Sequence, residues 1–231
     1  CQWWQALSGL GWIVSSFLIL NLSFSYCESP YSLFGKIVIA FFLLRGTGMA
    51  LNQVCDKDFD RWNPRTAERA IPRGVLTPTF CLLGALVQGL LFLYFCCSFF
   101  DRKVAFLGVF SLGLVSLYSF LKRWTFFCHG AVGLCHALIP IVVSYAFEGR
   151  LSTPLLYLSA VCFFSVSGTD ILYALQDCDY DRKMGLHSFP AMFGVRFSFG
   201  AAFLMHMIAL SFMGAMLYAL HVLLVIWVLF F

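Results

Sequence analysis

A bundle of membrane-spanning helices is the fold this sequence predicts, and three features predict it. Of the 231 residues 61% are hydrophobic and only 11% charged, with a mean hydropathy of +0.87, far from the composition of a water-soluble domain. The apolar residues fall in repeated runs of about 18 to 24, close to the roughly 20 residues that a helix needs to cross a bilayer. The charges gather in the short segments between these runs, above all in residues 51–74, which hold four carboxylates and five Lys/Arg. A net charge of +4 spread over short loops carries no nucleic-acid signature, so no nucleic-acid partner is expected.

Residues 3–24 contain no charge and form span 1, and a short link from Glu28 to Lys36 leads into span 2, residues 36–55. Span 2 carries Arg45 inside it, and a charge within a membrane helix is costly enough to mark function by default. The loop 56–77 bends at Pro64, Pro72 and Pro78. Spans 3 and 4, residues 78–99 and 104–121, are joined by Asp101-Arg102-Lys103. Span 5, residues 126–147, contains Pro140, a predicted kink. Glu148-Gly149-Arg150 turns the chain into span 6, residues 153–176. From Phe197 to Phe231 there is no Asp, Glu, Lys or Arg, which leaves room for span 7 and most of an eighth, with Gly214 as the expected turn. The prediction is an all-α polytopic bundle of about eight spans around a central cavity, a single domain over residues 1–231. With no initiator Met, and residue 1 almost at the start of a span, the chain reads as trimmed.

The ten cysteines follow no disulfide pattern, most lying inside apolar runs where Cys behaves as a small hydrophobe. Cys128-His129 and Cys135-His136 recur seven apart. They read as helix-contact residues, because paired zinc ligands usually stand closer together.

Spans 2, 4 and 6 end on one side of the membrane, since two crossings separate each from the next. That side collects Lys57, Arg61, Arg65, Arg69, Arg73, Lys122, Arg123, Arg182, Lys183 and Arg196, whereas the opposite loops hold only Lys36, Arg102, Lys103 and Arg150. Ten against four is a positive-inside bias that places this side in the cytoplasm, in the setting of a bacterial inner membrane.

On the same side stand two acidic clusters. Asn52, Asp56 and Asp60 recur at i, i+4, i+8 and share a helix face, as do Asp177 and Asp181 with Tyr173 one turn earlier. Like charges at that spacing repel, and oxygen-only ligands suit a hard cation such as Mg²⁺, which shares its shell readily with phosphate. Arg61, Arg65, Arg69 and Arg73 are side chains suited to gripping phosphate oxygens. Arg45, two turns before Asn52 on the same face, puts a cation deeper in the cavity. Tyr118 and Lys122, at i, i+4, end span 4 on the same side, and Asp170 stands one turn before Tyr173, placed to cap or to pair within the bundle. A solvated loop also carries mixed charge, but two clusters at helical spacing on one predicted side tell against that reading. A diphosphate held by metal and cations above an apolar, aromatic interior can ionise to an allylic carbocation sheltered from water. A cation transporter is the rival reading, and it predicts acids at the bilayer midplane and broken helices there.

These motifs resemble the UbiA superfamily of intramembrane prenyltransferases, in particular its aromatic-acid polyprenyltransferases. Asn52 to Asp60 matches N-x-x-x-D-x-x-x-D, RTAERAIPRG (residues 65–74) is similar to R-T-x-x-R-P-x-P-x-G with Ala70 in place of a Pro, and YSFLKRWT matches Y-x-x-x-K-R-x-T. Tyr173 with Asp177, Asp179 and Asp181 resembles the second aspartate motif, and GLHSFPAMFG the stretch that follows it. The resemblance implies Mg²⁺ on Asn52, Asp56, Asp60, Asp177 and Asp181. It implies reaction roles for Tyr118, Lys122 and Asp177, and substrate contacts from Lys57, Arg65, Arg69, Lys122, Arg123, Tyr173 and Lys183; Arg45, by its own place deeper on the Asn52 face, is expected to contact substrate too. A polyprenyl diphosphate drawn from the bilayer is the implied donor and an aromatic acid such as 4-hydroxybenzoate the acceptor, its carboxylate meeting Arg45, in quinone biosynthesis. Dihydroxynaphthoate, haem, a chlorophyllide or an ether lipid are the acceptors of related enzymes. The family usually has nine spans.

Overall fold

The computed structural model describes residues 2–23 and 30–230, with side chains over 7–20 and 31–221. Glu28, in the expected first link, lies outside the described residues. Seven long helices appear among them: α1 (Gln2–Ser23), α2 (Pro30–Cys55), α4 (Pro78–Phe99), α5 (Arg102–Leu121), α6 (Cys128–Glu148), α7 (Thr153–Ala174) and α10 (Val195–Phe230). Six of these are long and apolar enough to cross a membrane, and in α1 the described apolar stretch is Leu7–Leu20. Three short helices complete the set: α3 (Lys57–Trp62), α8 (Cys178–Lys183) and α9 (Phe189–Phe193). The all-α polytopic bundle is therefore observed, and the chain is an integral membrane protein. The expected eighth span is not formed: α10 runs as one 36-residue helix straight through Gly214. A lone Gly costs a helix about 1 kcal/mol, whereas a turn within hydrocarbon leaves several backbone groups without partners at several kcal/mol each.

Local chemistry sets the helix ends. Thr77 accepts the Phe80 N–H at 3.2 Å with Pro78 at the first helical position of α4, and Asp101 accepts the Val104 N–H at 2.9 Å to start α5. Gly149, at φ +67°, closes α6 in the left-handed conformation that glycine adopts freely. Pro140 sits inside α6 without ending it. Ser159 of α7 donates to the Ala137 carbonyl at 2.6 Å, beside the turn where proline removes a donor.

Helix α7 packs along α6 and α10, and α2 lies against α4 and α5. The α6 to α7 contact is close because Gly133 faces Ser167 and the Phe163 carbonyl, where a Cβ would fall 2.6 Å from that oxygen. Apolar side chains of α4 such as Leu83, Leu86 and Leu90 are exposed on the outer surface, as lipid-facing residues are. A core of Ile13, Leu20, Ile37, Val143, Leu155, Leu158, Cys162 and Met216 fills one half of the bundle. It draws on the start of α2, the end of α6 and the start of α7. The opposite half, at the end of α2, the end of α5, the start of α6 and the end of α7, opens into a polar-mouthed cavity.

Candidate active site

Two long helices, α2 and α7, deliver the acidic clusters by the same local device. Each stops short of an aspartate whose backbone leaves the helical region for the bridge region, Asp56 at φ −92°, ψ 4° and Asp177 at φ −105°, ψ 4°. Each aspartate is followed by a six-residue helix, α3 or α8, that carries the second acid four positions on: Asp60 or Asp181. Backbone bonds from Asp56 N–H to the Asn52 carbonyl (2.9 Å) and from Asp60 N–H to the Asp56 carbonyl (2.7 Å) keep the helical spacing across the break. Asn52, Asp56 and Asp60 thus stay on one face as their spacing predicts.

The two ends are tied together. Tyr180 of α8 donates to the Phe59 carbonyl of α3 at 2.5 Å, and the Asn63 side-chain amide donates to Asp177 at 2.9 Å. Arg65 grips Asp177 in a two-point contact, its Nε 2.8 Å from Oδ1 and its terminal nitrogen on Oδ2. Arg69 bonds Asp60 at 2.6 Å. Lys122, at the end of α5, brings its ammonium 2.8 Å from Asp181, at an angle that forms no hydrogen bond with either buried oxygen of that carboxylate. Arg, Lys and Asp therefore interleave at the mouth.

Inside the mouth lies a cavity of about 290 Å³. Among the residues predicted for the site, Arg45, Asn52, Asp56, Arg65, Arg69, Tyr118, Lys122, Tyr173 and Asp177 line it. Asp60 and Asp181 lie just outside, each in its ion pair. Lys57 and Lys183 are exposed and do not line it. Arg123 is also turned elsewhere. It donates to the Cys55 carbonyl at 2.5 Å, capping α2, and sits 5.3 Å from the Phe59 ring and 5.5 Å from that of Phe120. Its position is that of a staple between α2 and α5.

The sequence pattern underrated three features of this wall. His129 and Asp170 are a pair across α6 and α7, with Nδ1 and Oδ2 2.7 Å apart. Cys128, Cys135 and His136 line the cavity beside them. Asn63 orients Asp177. Asp170 left a readable signal, an acid inside an apolar run two turns before Asp177 on the same face; His129 and Asn63 left none stronger than their side-chain types.

The acids fit a hard cation in chemistry. All donors are oxygens, and burial together with the charge of Asp60 raises Asp56 to a pKa of about 6, partly offset by Lys122, Arg69 and Arg123. A carboxyl so placed is short of positive charge. Among the described residues no three His, Cys, Asp or Glu side chains already converge on one point. The arginines and Lys122 stand between the acids, so a metal bound there would have to share or displace those partners.

Comparison with known proteins identifies the family. A sequence model of the UbiA prenyltransferase family matches residues 12–231. The chain is 27% identical over 207 residues to a 4-hydroxybenzoate octaprenyltransferase of Idiomarina loihiensis, covering 87% of this chain and 70% of that protein. It is 36% identical over 155 residues to the mitochondrial 4-hydroxybenzoate polyprenyltransferase of Arabidopsis thaliana, covering 66% of this chain but 37% of that one. The chain spans about half the length of several other relatives, 55% in the case of the Marinomonas octaprenyltransferase. In fold it matches an apo UbiA homologue from Aeropyrum pernix with a TM-score of 0.80 at 23% identity, over 94% of this chain and 79% of that one. It also matches an Archaeoglobus fulgidus UbiA homologue bound to DMAPP and Mg²⁺, with a TM-score of 0.73 at 14% identity over 100% of this chain and 85% of that one. The chain belongs to the UbiA prenyltransferase family.

Proposed function

We propose that the chain transfers a polyprenyl group from a prenyl diphosphate to an aromatic acid of the 4-hydroxybenzoate kind, with Mg²⁺, as a step in quinone biosynthesis. One observation carries the reading. Two acidic helix ends and three interleaved cations rim a cavity whose deeper wall sets the guanidinium of Arg45 and the Asp170 carboxylate among apolar and aromatic side chains such as Phe41, Val115, Tyr118 and Ile139. The relatives named as 4-hydroxybenzoate prenyltransferases, and the neighbour bound to DMAPP and Mg²⁺, support the same substrates here.

Asn52, Asp56, Asp60, Asp177 and Asp181 are the residues that would hold Mg²⁺, whose charge, when bound, neutralises the departing diphosphate. Arg65, Arg69 and Lys122 exchange their carboxylate partners for phosphate oxygens as the substrate arrives. Tyr118, with Tyr173 across the cavity, faces the allylic carbon and excludes water from the developing cation. Arg45 takes the acceptor's carboxylate and turns the ring toward that carbon. A cavity of about 290 Å³ is at the small end of ligand sites, roughly 300–1,000 Å³, so a long isoprenoid tail leaves sideways into lipid. The Lys/Arg-rich side that carries the site is the cytoplasmic one if the membrane is a bacterial inner membrane.

The test is a mass-spectrometric screen of membranes containing the chain, Mg²⁺ and one long prenyl diphosphate against a panel of aromatic acids. Prenylated acid and pyrophosphate are expected, and both vanish on chelation of Mg²⁺. Turnover of none of the acids, or undiminished turnover without divalent metal, overturns the proposal.

A further inference from the structure

Asp170 and His129 form a pair in the cavity wall that the metal and diphosphate chemistry does not use. Asp170 lies two turns before Asp177 on α7, about 10 Å deeper, and shares the cavity with Arg45, Tyr118 and Tyr173. Its Oδ2 is 2.7 Å from His129 Nδ1. The other ring nitrogen, Nε2, accepts the backbone N–H of Phe189, the first residue of α9, at 3.1 Å. A nitrogen that accepts carries no proton, so His129 is the Nδ1–H tautomer and donates to Asp170. Both imidazole nitrogens are thus committed, and 6% of that side chain is exposed against 24% for Asp170. In this pair the carboxylate is the group free to act and the histidine is the group that aims it.

We propose that Asp170 is a catalytic base of the transfer and His129 its positioning residue, with Asp170 taking the proton that the aromatic acceptor sheds. The inference rests on the aromatic acceptor proposed above. The allylic C–O bond breaks and its electron pair leaves with pyrophosphate. A π pair of the ring forms the new C–C bond at the carbon beside the hydroxyl. The C–H pair at that carbon then restores the aromatic ring, and its proton passes to the Asp170 carboxylate, which returns it to water as product leaves. No further reactant is needed. An ionised carboxylate facing the ring in a dry cavity also stabilises the positive charge the ring carries before it loses that proton.

The experiment uses the full chain in detergent with Mg²⁺, geranyl diphosphate and 4-hydroxybenzoate, either protiated or deuterated at the ring positions beside the hydroxyl. The wild-type protein is expected to show an isotope effect on kcat near unity, because ionisation limits the rate. Asp170→Asn should lower kcat about a hundredfold, leave KM for geranyl diphosphate unchanged, and bring out a clear isotope effect as proton loss becomes limiting. His129→Leu should do the same to a lesser degree, and His129→Gln, whose amide both donates to Asp170 and accepts from Phe189, should recover part of the rate lost by His129→Leu. A merely structural pair would not move the isotope effect. If Asp170→Asn fails to fold, His129→Leu carries the test, and an isotope effect still near unity in that variant overturns the proposal. Wild-type turnover with an indifferent Asp170→Asn removes this inference alone. Absence of wild-type turnover on every aromatic acid removes the acceptor reading and this inference with it.

Discussion

The two acidic helix ends share a backbone plan but not an electrostatic state. Asp177 is held by the Arg65 guanidinium and the Asn63 amide, so its charge is met by the protein itself. Asp56 receives one amide hydrogen bond, from Asn52 at 2.9 Å, and sits beside Asp60 in a desolvated position that lifts its carboxyl to about 6. One end is neutralised in advance and the other waits for positive charge from outside. The difference teaches that a repeated motif does not imply a repeated charge state: Asp177 is met by the arginine loop, whereas Asp56 has a single amide partner.

Substitution at the two first aspartates breaks this comparison most directly. Asp56→Ala and Asp177→Ala should each abolish turnover, a loss of a thousandfold or so, while their metal-free stabilities move apart. Thermal unfolding in detergent should find Asp177→Ala destabilised by about 1–3 kcal/mol, because Arg65 and Asn63 lose their acceptor, and Asp56→Ala unchanged or more stable. Equal destabilisation of both would erase the distinction. Next in size is Lys122→Ala, which leaves the Asp181 carboxylate, 1% exposed, without its counter-charge. A cost of about 3–5 kcal/mol is expected, read as a fall in the unfolding temperature, with Asp181→Asn in the same background restoring most of it.

A smaller effect is expected from Arg65→Lys, which keeps the charge but not the two-point grip. KM for the prenyl diphosphate should rise about tenfold with kcat nearly preserved; an equal fall in kcat would move Arg65 into the chemical step. The smallest effect is in pH. A carboxyl whose folded pKa is raised contributes stability that is full below its unfolded value and lost as pH rises through about 6. The chelated protein should therefore gain stability as pH is lowered from 7 toward 5. Over the same window the unfolding-temperature increase given by added Mg²⁺ should shrink, since protons compete with metal for Asp56. A metal response independent of pH would place the ion elsewhere.

The helices and the acidic faces were legible in the sequence for one reason: in a chain this apolar, a charged side chain has few places to go. Asn52, Asp56 and Asp60, then Asp177 and Asp181, announce themselves by spacing, and Arg45 by its isolation. Lys57, one residue after Asp56, and Lys183, two after Asp181, do not line the cavity, because nearness in sequence to an acid is not nearness in space; a residue one step along a helix is turned about 100° away. Lys122 and Arg123 look alike in the sequence as a basic pair, although only the first lines the cavity. The His129–Asp170 pair was hidden because its partners are 41 residues apart and meet only through the close packing of α6 on α7. Gly214 failed as a turn signal because the rule comes from helices in water, where an interrupted backbone finds solvent.

The half of the bundle that holds no chemistry has its own consequence. Phe41 and Ile139, at the floor of the cavity, pack onto the core of Ile13, Leu20, Val143, Leu155 and Cys162. A deep, charged recess in a bilayer is a hazard, since any continuous wet path from it to the far surface would let ions cross. Apolar side chains packed across this floor separate the recess from the far half of the bundle, so charge can sit partway into the barrier without opening it.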